Sequence, residues 1–405
     1  MVARSAGALR DGPLSGGTAD KRPSPAGTYV RRLRLTSFRN YASLSMDFPA
    51  SAVVLTGRNG AGKTNMLEAV SFLAPGKGLR QARFADVLPV SGEKSWAVSA
   101  VLEKGGEEFS VGTGYDASDG RRSDKREIRL NGAPVKGQAD LGESVSAVWL
   151  TPAMDRLFSG DPAGRRRFWD RLVQASDPAH ARRCAAYAQA LRQWNALLRE
   201  RNFDDAWLSA LEKTLGKYGA EVSAARRRLL TDLQGRLETA PDAFPRAALS
   251  LDGGMEEELR DKTADEASDL IRDRFRRSRT LCAETGSAGG VHTVDLSALH
   301  REKNRAAAGC STGEQKALLV SILLAHIGAL AERKGALPLI LFDEVFAHLD
   351  AARTASLSTE LKTFDTQVWL TGTDPAAFGE FDGTARFVAL EPLLDNGDAG
   401  LSAAS

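Results

Sequence analysis

The sequence predicts an α/β fold in which a head with a mixed sheet is split along the chain and a mainly helical second lobe is inserted between its two parts. Three observations predict it. The stretch Gly57-Arg58-Asn59-Gly60-Ala61-Gly62-Lys63-Thr64 matches GxxxxGK[ST] at every fixed position. It follows the apolar run Ala52-Val53-Val54-Leu55 and precedes residues 64–73, whose apolar spacing is helical, so strand, phosphate loop and helix arrive in the required order. Residues 337–342 form a near-continuous apolar run ending in Asp343-Glu344, the pattern of a parallel strand buried on both faces with carboxylates at its C-terminal edge. Between these, residues 165–230 carry 14 Arg or Lys against 7 Asp or Glu and show apolar stripes at helical steps.

Composition bounds the function. A chain of 405 residues can hold two or three domains, and its net charge of +2 means that any nucleic-acid binding must rest on local patches. Three widely separated cysteines, Cys184, Cys282 and Cys310, fit neither a disulfide framework nor a zinc site, so a reducing, cytoplasmic compartment is expected. The most apolar long segment, residues 317–330, is interrupted by Ser321 and His326 and reads as a buried helix, with no membrane span expected.

In chain order, residues 1–28 are rich in Gly, Ser, Ala and Pro and predict a disordered N-terminal extension. Residues 29–163 form the N-terminal part of the head. A strand at 29–35 is followed by the basic, aromatic turn Phe38-Arg39-Asn40-Tyr41 and a second strand near 44–48. After the phosphate loop come the basic glycine loop Gly76-Lys77-Gly78-Leu79-Arg80 and, over 96–133, an antiparallel sheet with turns near Asp119-Gly120 and Asn131-Gly132. Residues 164–299 form the helical lobe. Tyr187, Leu191, Trp194 and Leu198, then Leu208, Leu211, Leu215, Tyr218 and Val222, describe two helices of some 20 to 30 residues joined across 201–205. These make either a short antiparallel hairpin or two ordinary bundle helices, and the segment 265–279 is a further helix. Residues 300–390 return to α/β character with a second buried strand at 366–371, and residues 391–405 read as a flexible tail.

The residue types specify phosphate chemistry. Backbone N–H groups of Gly57, Arg58, Asn59, Gly60, Ala61 and Gly62 can turn around ATP phosphate oxygens, Lys63 reaches the β/γ-phosphates, and Thr64 offers a hydroxyl to Mg²⁺. Asp343 is placed to hold the same Mg²⁺ through water, and Glu344 beside it suits a general base for water attack on the γ-phosphate. Ser311-Thr312-Gly313-Glu314 begins the apolar helix. A capping box explains Ser311 and Glu314 without further function, while Gly313 leaves the first turn bare, as an anion site requires.

Together the phosphate loop, Ser311-Thr312-Gly313-Glu314-Gln315, Asp343-Glu344 and His348-Leu349-Asp350 resemble the Walker A, signature, Walker B and D-loop series of ABC-type ATPases of the SMC-like branch. Phe38-Arg39-Asn40-Tyr41, the run after Lys63, Gly164-Arg165-Arg166-Arg167-Phe168-Trp169-Asp170 and Ser311 to Lys316 narrow the resemblance to the RecF family of bacterial recombination and replication-repair proteins, from about Val30 to Leu390. The resemblance implies an ATP-dependent homodimer with slow, DNA-stimulated ATP hydrolysis. It implies binding to single-stranded DNA and single-strand/double-strand junctions, recombinase loading with RecR and RecO, support of the SOS response, and no membrane partner. It further implies ATP contacts from Arg39 and Asn40, a signature Ser311, Thr312, Gly313, Glu314 and Gln315 acting in trans, and a D-loop Asp350. The segment 149–155 falls at the Q-loop, and Thr371 and Thr373 fall where such ATPases place a switch histidine. DNA contacts are expected from the clusters Arg31, Arg32 and Arg34 and Arg165, Arg166 and Arg167. The rival readings are an SMC-type head that tethers DNA and a transporter ATPase subunit.

Overall fold

The computed structural model describes residues 27–118, 125–135, 137–199, 204–239, 241–285, 289–390 and 401–402. The head begins with β1 (Thr28–Phe38), β2 (Tyr41–Asp47), β3 (Ala52–Thr56) and α1 (Lys63–Ser71). It continues through β4 (Ser95–Lys104), β5 (Glu107–Asp116), β6 (Glu127–Leu130), β7 (Ala133–Pro134), α2 (Gln138–Ser144) and β8 (Ala147–Leu150). The inserted segment holds α3 (Pro162–Ser176), α4 (His180–Arg199), α5 (Asp205–Glu238), β9 (Ala247–Asp252), α6 (Glu256–Leu259), α7 (Ala264–Thr285) and β10 (Asp295–His300). The chain then returns through β11 (Arg305–Ala306), α8 (Thr312–Lys334), β12 (Leu339–Phe342), α9 (Ala351–Thr363), β13 (Val368–Gly372), β14 (Ala385–Leu390) and β15 (Leu401–Ser402).

Two six-stranded sheets build the head. One is antiparallel in the order β2-β1-β4-β5-β6-β7; the other has the order β15-β14-β3-β13-β12-β8, with β14, β3, β13, β12 and β8 all parallel. In the parallel sheet the period-2 alternation separates two cores. Val53, Leu55, Leu339, Leu341 and Trp369 face α1 and the antiparallel sheet, whereas Val54, Ile340, Phe342, Val368 and Leu370 face α8, α3 and the end of α5. Strands β3 and β8 come from before the insertion and β12 to β14 from after it, so the sheet closes only when both parts of the chain are present.

Gln367, just before β13, joins the two sheets. Its side-chain oxygen accepts from the Val30 N–H at 2.8 Å and the Trp369 indole at 2.9 Å, and its amide nitrogen donates to Val30 O and Pro49 O at 3.3 and 3.1 Å. A fully buried amide with every bond satisfied holds one geometry, because any displacement strands polar groups away from water.

The insertion is organised around two ionic hubs, one half-buried and one buried. Asp170 on α3 accepts two bonds from Arg226 on α5, both 2.8 Å, and meets His180 Nε2 at 2.9 Å. Burial alone would raise the Asp170 carboxyl, but the Arg226 charge and its hydrogen bonds, with His180, hold it well below the usual carboxylate range. Glu212 on α5 takes the Trp194 indole of α4 at 3.1 Å and Arg279 of α7 at 2.6 and 2.7 Å. Around it pack Leu198, Leu208, Leu215, Ile271 and Phe275.

Several expectations are revised. The insertion also contains β9 and β10, six residues each, which join β11 of the returning chain in a three-stranded sheet. Helix α5 runs for 34 residues, about 51 Å at the helical rise, rather than 20 to 30. Its apolar stripe continues through Leu229, Leu233 and Leu237 into the core under the parallel sheet, so the helix extends past the hairpin with α4. Thr28, expected in the disordered extension, opens β1, and Leu401–Ser402, expected in the flexible tail, pair with Ala389–Leu390. Residues 1–26, 391–400 and 403–405, the Asp119-Gly120 turn and the α4–α5 connection at 200–203 lie outside the described residues. Asn131 and Gly132 do form a tight turn, with φ of 50° and 79°. Helix α8 is longer than the segment 317–330 and, over Thr312–Arg333, is long and apolar enough to cross a membrane; here it is mostly buried inside the fold.

Gln367→Leu is expected to destabilise the protein by about 2–4 kcal/mol, because it orphans the Val30 amide and carbonyl in a water-free layer. Urea denaturation followed by tryptophan fluorescence measures this, and an unchanged midpoint would show that the two sheets are held by apolar packing alone.

Candidate nucleotide-binding site

The loop between β3 and α1 is shaped by close approaches that only glycine permits. At Gly57 (φ 144°) an added Cβ would fall 2.2 Å from Leu390 O, and at Gly62 (φ 97°) it would fall 2.6 Å from Asn40 Nδ2 and 2.7 Å from Tyr41 Oη. Tyr41 donates to Gly62 O at 3.1 Å, which fixes the loop against the β1–β2 turn. Lys63 opens α1, and its Nζ donates to Gly57 O and Arg58 O at 2.7 and 3.1 Å. Burial lowers the Lys63 pKa, opposed by the carboxylates of Glu344 and Asp343. Asn59 and Gly60 are exposed at the loop's crest, while Ala61 packs into the core.

The structure brings Walker A and Walker B together across 279 residues of chain. Thr64 Oγ1 lies 3.1 and 3.0 Å from the two Asp343 oxygens. Thr371 on β13 donates to Asp343 Oδ1 at 2.6 Å and accepts from the Glu344 N–H at 3.0 Å. Thr371 is therefore a support for both acids through its hydroxyl, while Thr373 is exposed beyond it. A hydroxyl and a carboxylate converging at the end of a parallel strand are hard oxygen donors, so Thr64 and Asp343 fit Mg²⁺.

Glu344 has φ 49° and His348 φ 67°, left-handed conformations that cost energy for non-glycine residues and persist only where neighbours enforce them. Lys316, which is 1% exposed, does the enforcing: its Nζ donates to Glu344 O at 3.0 Å and Ala347 O at 2.7 Å, and lies 3.8 Å from Asp155. Burial lowers the Lys316 pKa, with Asp155, Glu344 and Asp343 acting in the opposite direction. Sequence reasoning missed this role, although a lysine directly before the largely apolar stretch of a helix was the signal available.

Arg39 and Asn40 occupy the turn beside the phosphate loop, but the Arg39 guanidinium and the Asn40 side-chain oxygen are engaged within the protein. Arg39 forks onto the fully buried Glu68 at 2.9 and 2.8 Å and donates to Asp86 O at 2.6 Å; Asn40 accepts from Asn65 at 2.6 Å. These bonds fix α1 and the loop, a structural use not foreseen for Arg39. On the signature segment the capping box is complete: the Ser311 N–H donates to Glu314 at 2.8 Å and the Glu314 N–H to Ser311 Oγ at 3.4 Å. Lys303 pairs with Glu314 and, with the Ser311 N–H, holds its carboxyl down to about 2. Gln315 donates to Cys310 O at 2.9 Å, and Asp350 caps α9 through the Arg353 N–H. Ser311, Thr312 and Gly313 share no hydrogen bond with the phosphate loop among the described residues.

The six arginines expected at DNA divide. Arg165 forks onto Asp295 at 2.8 and 2.7 Å and also donates to Phe158 O and Gly160 O, while Arg166 donates to Val294 O at 3.0 Å. Both are consumed in joining α3 to β10, because a half-buried guanidinium is stable only with its donors satisfied. Arg31 and Arg32 lie beside Glu103 and Asp47 on neighbouring strands. Arg34 and Arg167 are exposed and have no ion pair among the described residues.

Comparison with known proteins gives the chain's family and fold. The RecF/RecN/SMC N terminal domain family matches residues 29–389. The chain is 42% identical over 383 residues to the DNA replication and repair protein RecF of Mesorhizobium japonicum, covering 93% of this chain and 98% of that one. It is 44% identical over 364 residues to RecF of Agrobacterium fabrum, covering 88% and 96%. A solved structure of the recombination mediator protein RecF-ATPrS in the RecFOR pathway superposes with a TM-score of 0.80 at 19% identity, over 94% of this chain and all of that one, which shows a shared fold.

Lys316→Met is expected to accelerate amide hydrogen exchange at residues 345–348 by tenfold or more, since the two carbonyl tethers of the strained turn are lost. Exchange read by mass spectrometry should leave β3 and β13 unchanged; equal protection in parent and variant would assign the turn's geometry to packing instead.

Proposed function

This chain belongs to the RecF family of DNA replication and repair proteins, and from that premise we propose that it is an ATP-dependent DNA-binding protein of recombinational repair and replication restart. The observation that carries the reading is the meeting of Thr64 with Asp343 at the mouth of the phosphate loop, with Glu344 next along the chain. In the proposed reaction the loop amides and Lys63 bind the ATP phosphates, Lys63 exchanging its carbonyl partners for phosphate oxygens. Mg²⁺, when bound by Thr64 and Asp343, neutralises charge on the β- and γ-phosphates. Glu344 orients and deprotonates the attacking water, and Thr371 and Lys316 hold its backbone from both sides.

The same reading assigns Ser311, Thr312 and Gly313 to the partner's nucleotide. They begin a 23-residue helix, exposed at its N-terminal end, where backbone N–H groups face outward and favour an anion. Two chains in head-to-tail arrangement would each complete the other's site. The ATP-bound dimer would engage single-strand/double-strand junctions, with RecR and RecO as partners in recombinase loading, hydrolyse ATP slowly with stimulation by DNA, and support the SOS response. An extended tethering arm is disfavoured because the second half of α5 is spent in the core.

Lys63→Ala should abolish ATP binding and ATP-driven dimerisation. Glu344→Gln should keep ATP affinity within a few-fold, lose at least 100-fold in turnover and sediment as a dimer with ATP. Monomeric Glu344→Gln at saturating ATP would remove the shared-site reading.

DNA affinity should require ATP and fall steeply between low and moderate salt, because phosphate contacts release counterions. Arg34→Ala should weaken binding a few-fold and reduce the salt slope by about one. Fluorescence anisotropy on a junction oligonucleotide measures both, and salt-independent binding would argue that Arg34 makes no phosphate contact.

A further inference from the structure

A cavity of about 710 Å³ adjoins the site, with Thr64 and Asp343 in its lining alongside Arg80, Arg167 and Arg171. Its charges are unbalanced. Asp170 is saturated by Arg226 and His180, Asp343 is held by Thr64 and Thr371, and Arg80 pairs with Glu68. Arg171 has no carboxylate partner among the described residues. Its guanidinium stacks 4.5 Å from the Trp149 ring and 5.4 Å from Phe168, and its hydrogen bonds are long ones from Nη2, 3.4 Å to Trp149 O and 3.6 Å to Met154 Sδ. Nε and Nη1 have no acceptor among the described residues. Burial pushes the Arg171 pKa down to about 9, the mark of a cation held without compensation. The cluster Asp170, His180 and Cys184 in the same lining does not favour a metal, since Arg226 occupies both Asp170 oxygens and burial pushes the Cys184 thiol up to about 12.

The geometry points to a phosphate-binding site in this cavity, in which Arg171 and Arg167 hold the orthophosphate released from the γ-position before it leaves the protein. Hydrolysis forms a bond from the water oxygen to the γ-phosphorus and breaks its bond to the β,γ-bridging oxygen, so each turnover delivers one orthophosphate beside Thr64 and Asp343. A stacked guanidinium presents its remaining N–H groups edge-on, the arrangement that binds phosphate oxygens. The occupant's origin rests on the hydrolysis proposed above, whereas the binding itself does not.

The test is calorimetric titration of the nucleotide-free full chain with inorganic phosphate, in parallel with ATP titrations. Phosphate should bind the parent and Lys63→Ala alike, while Lys63→Ala loses ATP. Binding should weaken tenfold or more in Arg171→Met and at least threefold in Arg167→Gln; if Arg171→Met does not fold, Arg167→Gln alone decides. The site is overturned if the parent binds no phosphate, if Lys63→Ala abolishes phosphate binding, or if both arginine variants bind like the parent. Displacement of phosphate by a short single-stranded oligonucleotide would reassign the cavity to a DNA phosphate and overturn the product role. Loss of turnover with phosphate binding intact would instead count against the hydrolysis reading alone.

Discussion

The parallel register of β3, β13 and β12 is the constraint on which the rest depends. Pairing Leu370 with Val54 on one side and with Phe342 on the other places the end of the Walker B strand level with the end of the Walker A strand. Thr64 and Asp343 then meet without further adjustment, and Thr371, on the strand between, reaches both acids. Slipping one strand by a residue would turn Trp369 or Phe342 to the wrong core and separate the hydroxyl from the carboxylate together. Fold stability and site geometry are therefore one requirement, because the side chains that select the register are buried on both faces.

Around this register the protein holds several charged side chains away from water. Glu68, Glu212 and Lys316 are each 1% exposed or less. Each stands at a junction: Glu68 joins α1 to the β1–β2 turn and the glycine loop through Arg39 and Arg80, Glu212 joins α4, α5 and α7, and Lys316 joins α8 to the turn after β12. Buried ions are poor sources of net stability, yet removing one partner is costly, so such junctions restrict how the elements can sit. Asp170 and Arg226 follow the same logic beside the cavity, where Arg171 departs from it by having no acid partner among the described residues.

Much of the fold and site was legible because their signals are local. The strand–loop–helix order at residues 52–73, the buried run before Asp343 and the hairpin at Asn131-Gly132 each depend on a few neighbouring residues whose conformational preferences are strong. The apolar steps from Leu208 to Val222 likewise announced the helix that packs on α4. Short elements in the insertion were less legible. Residues 247–252 and 295–300 each alternate over only six positions, and nothing local pairs them across more than 40 intervening residues.

By itself the sequence determined which residues could do phosphate chemistry: a glycine loop with Lys63 and Thr64, and two acids at a strand end. Tertiary structure decided which of the remaining candidates are free to act. Arg165, Arg166 and Arg39 look alike in sequence to Arg34 and Arg167, yet the first three are tied to Asp295, Val294 O and Glu68 while the last two have no ion pair among the described residues. Lys316 and Thr371 acquire their roles only through neighbours distant in the chain. The physical reason is that a side chain's donors are committed by whatever folding brings within about 3 Å, a distance that local sequence patterns do not encode.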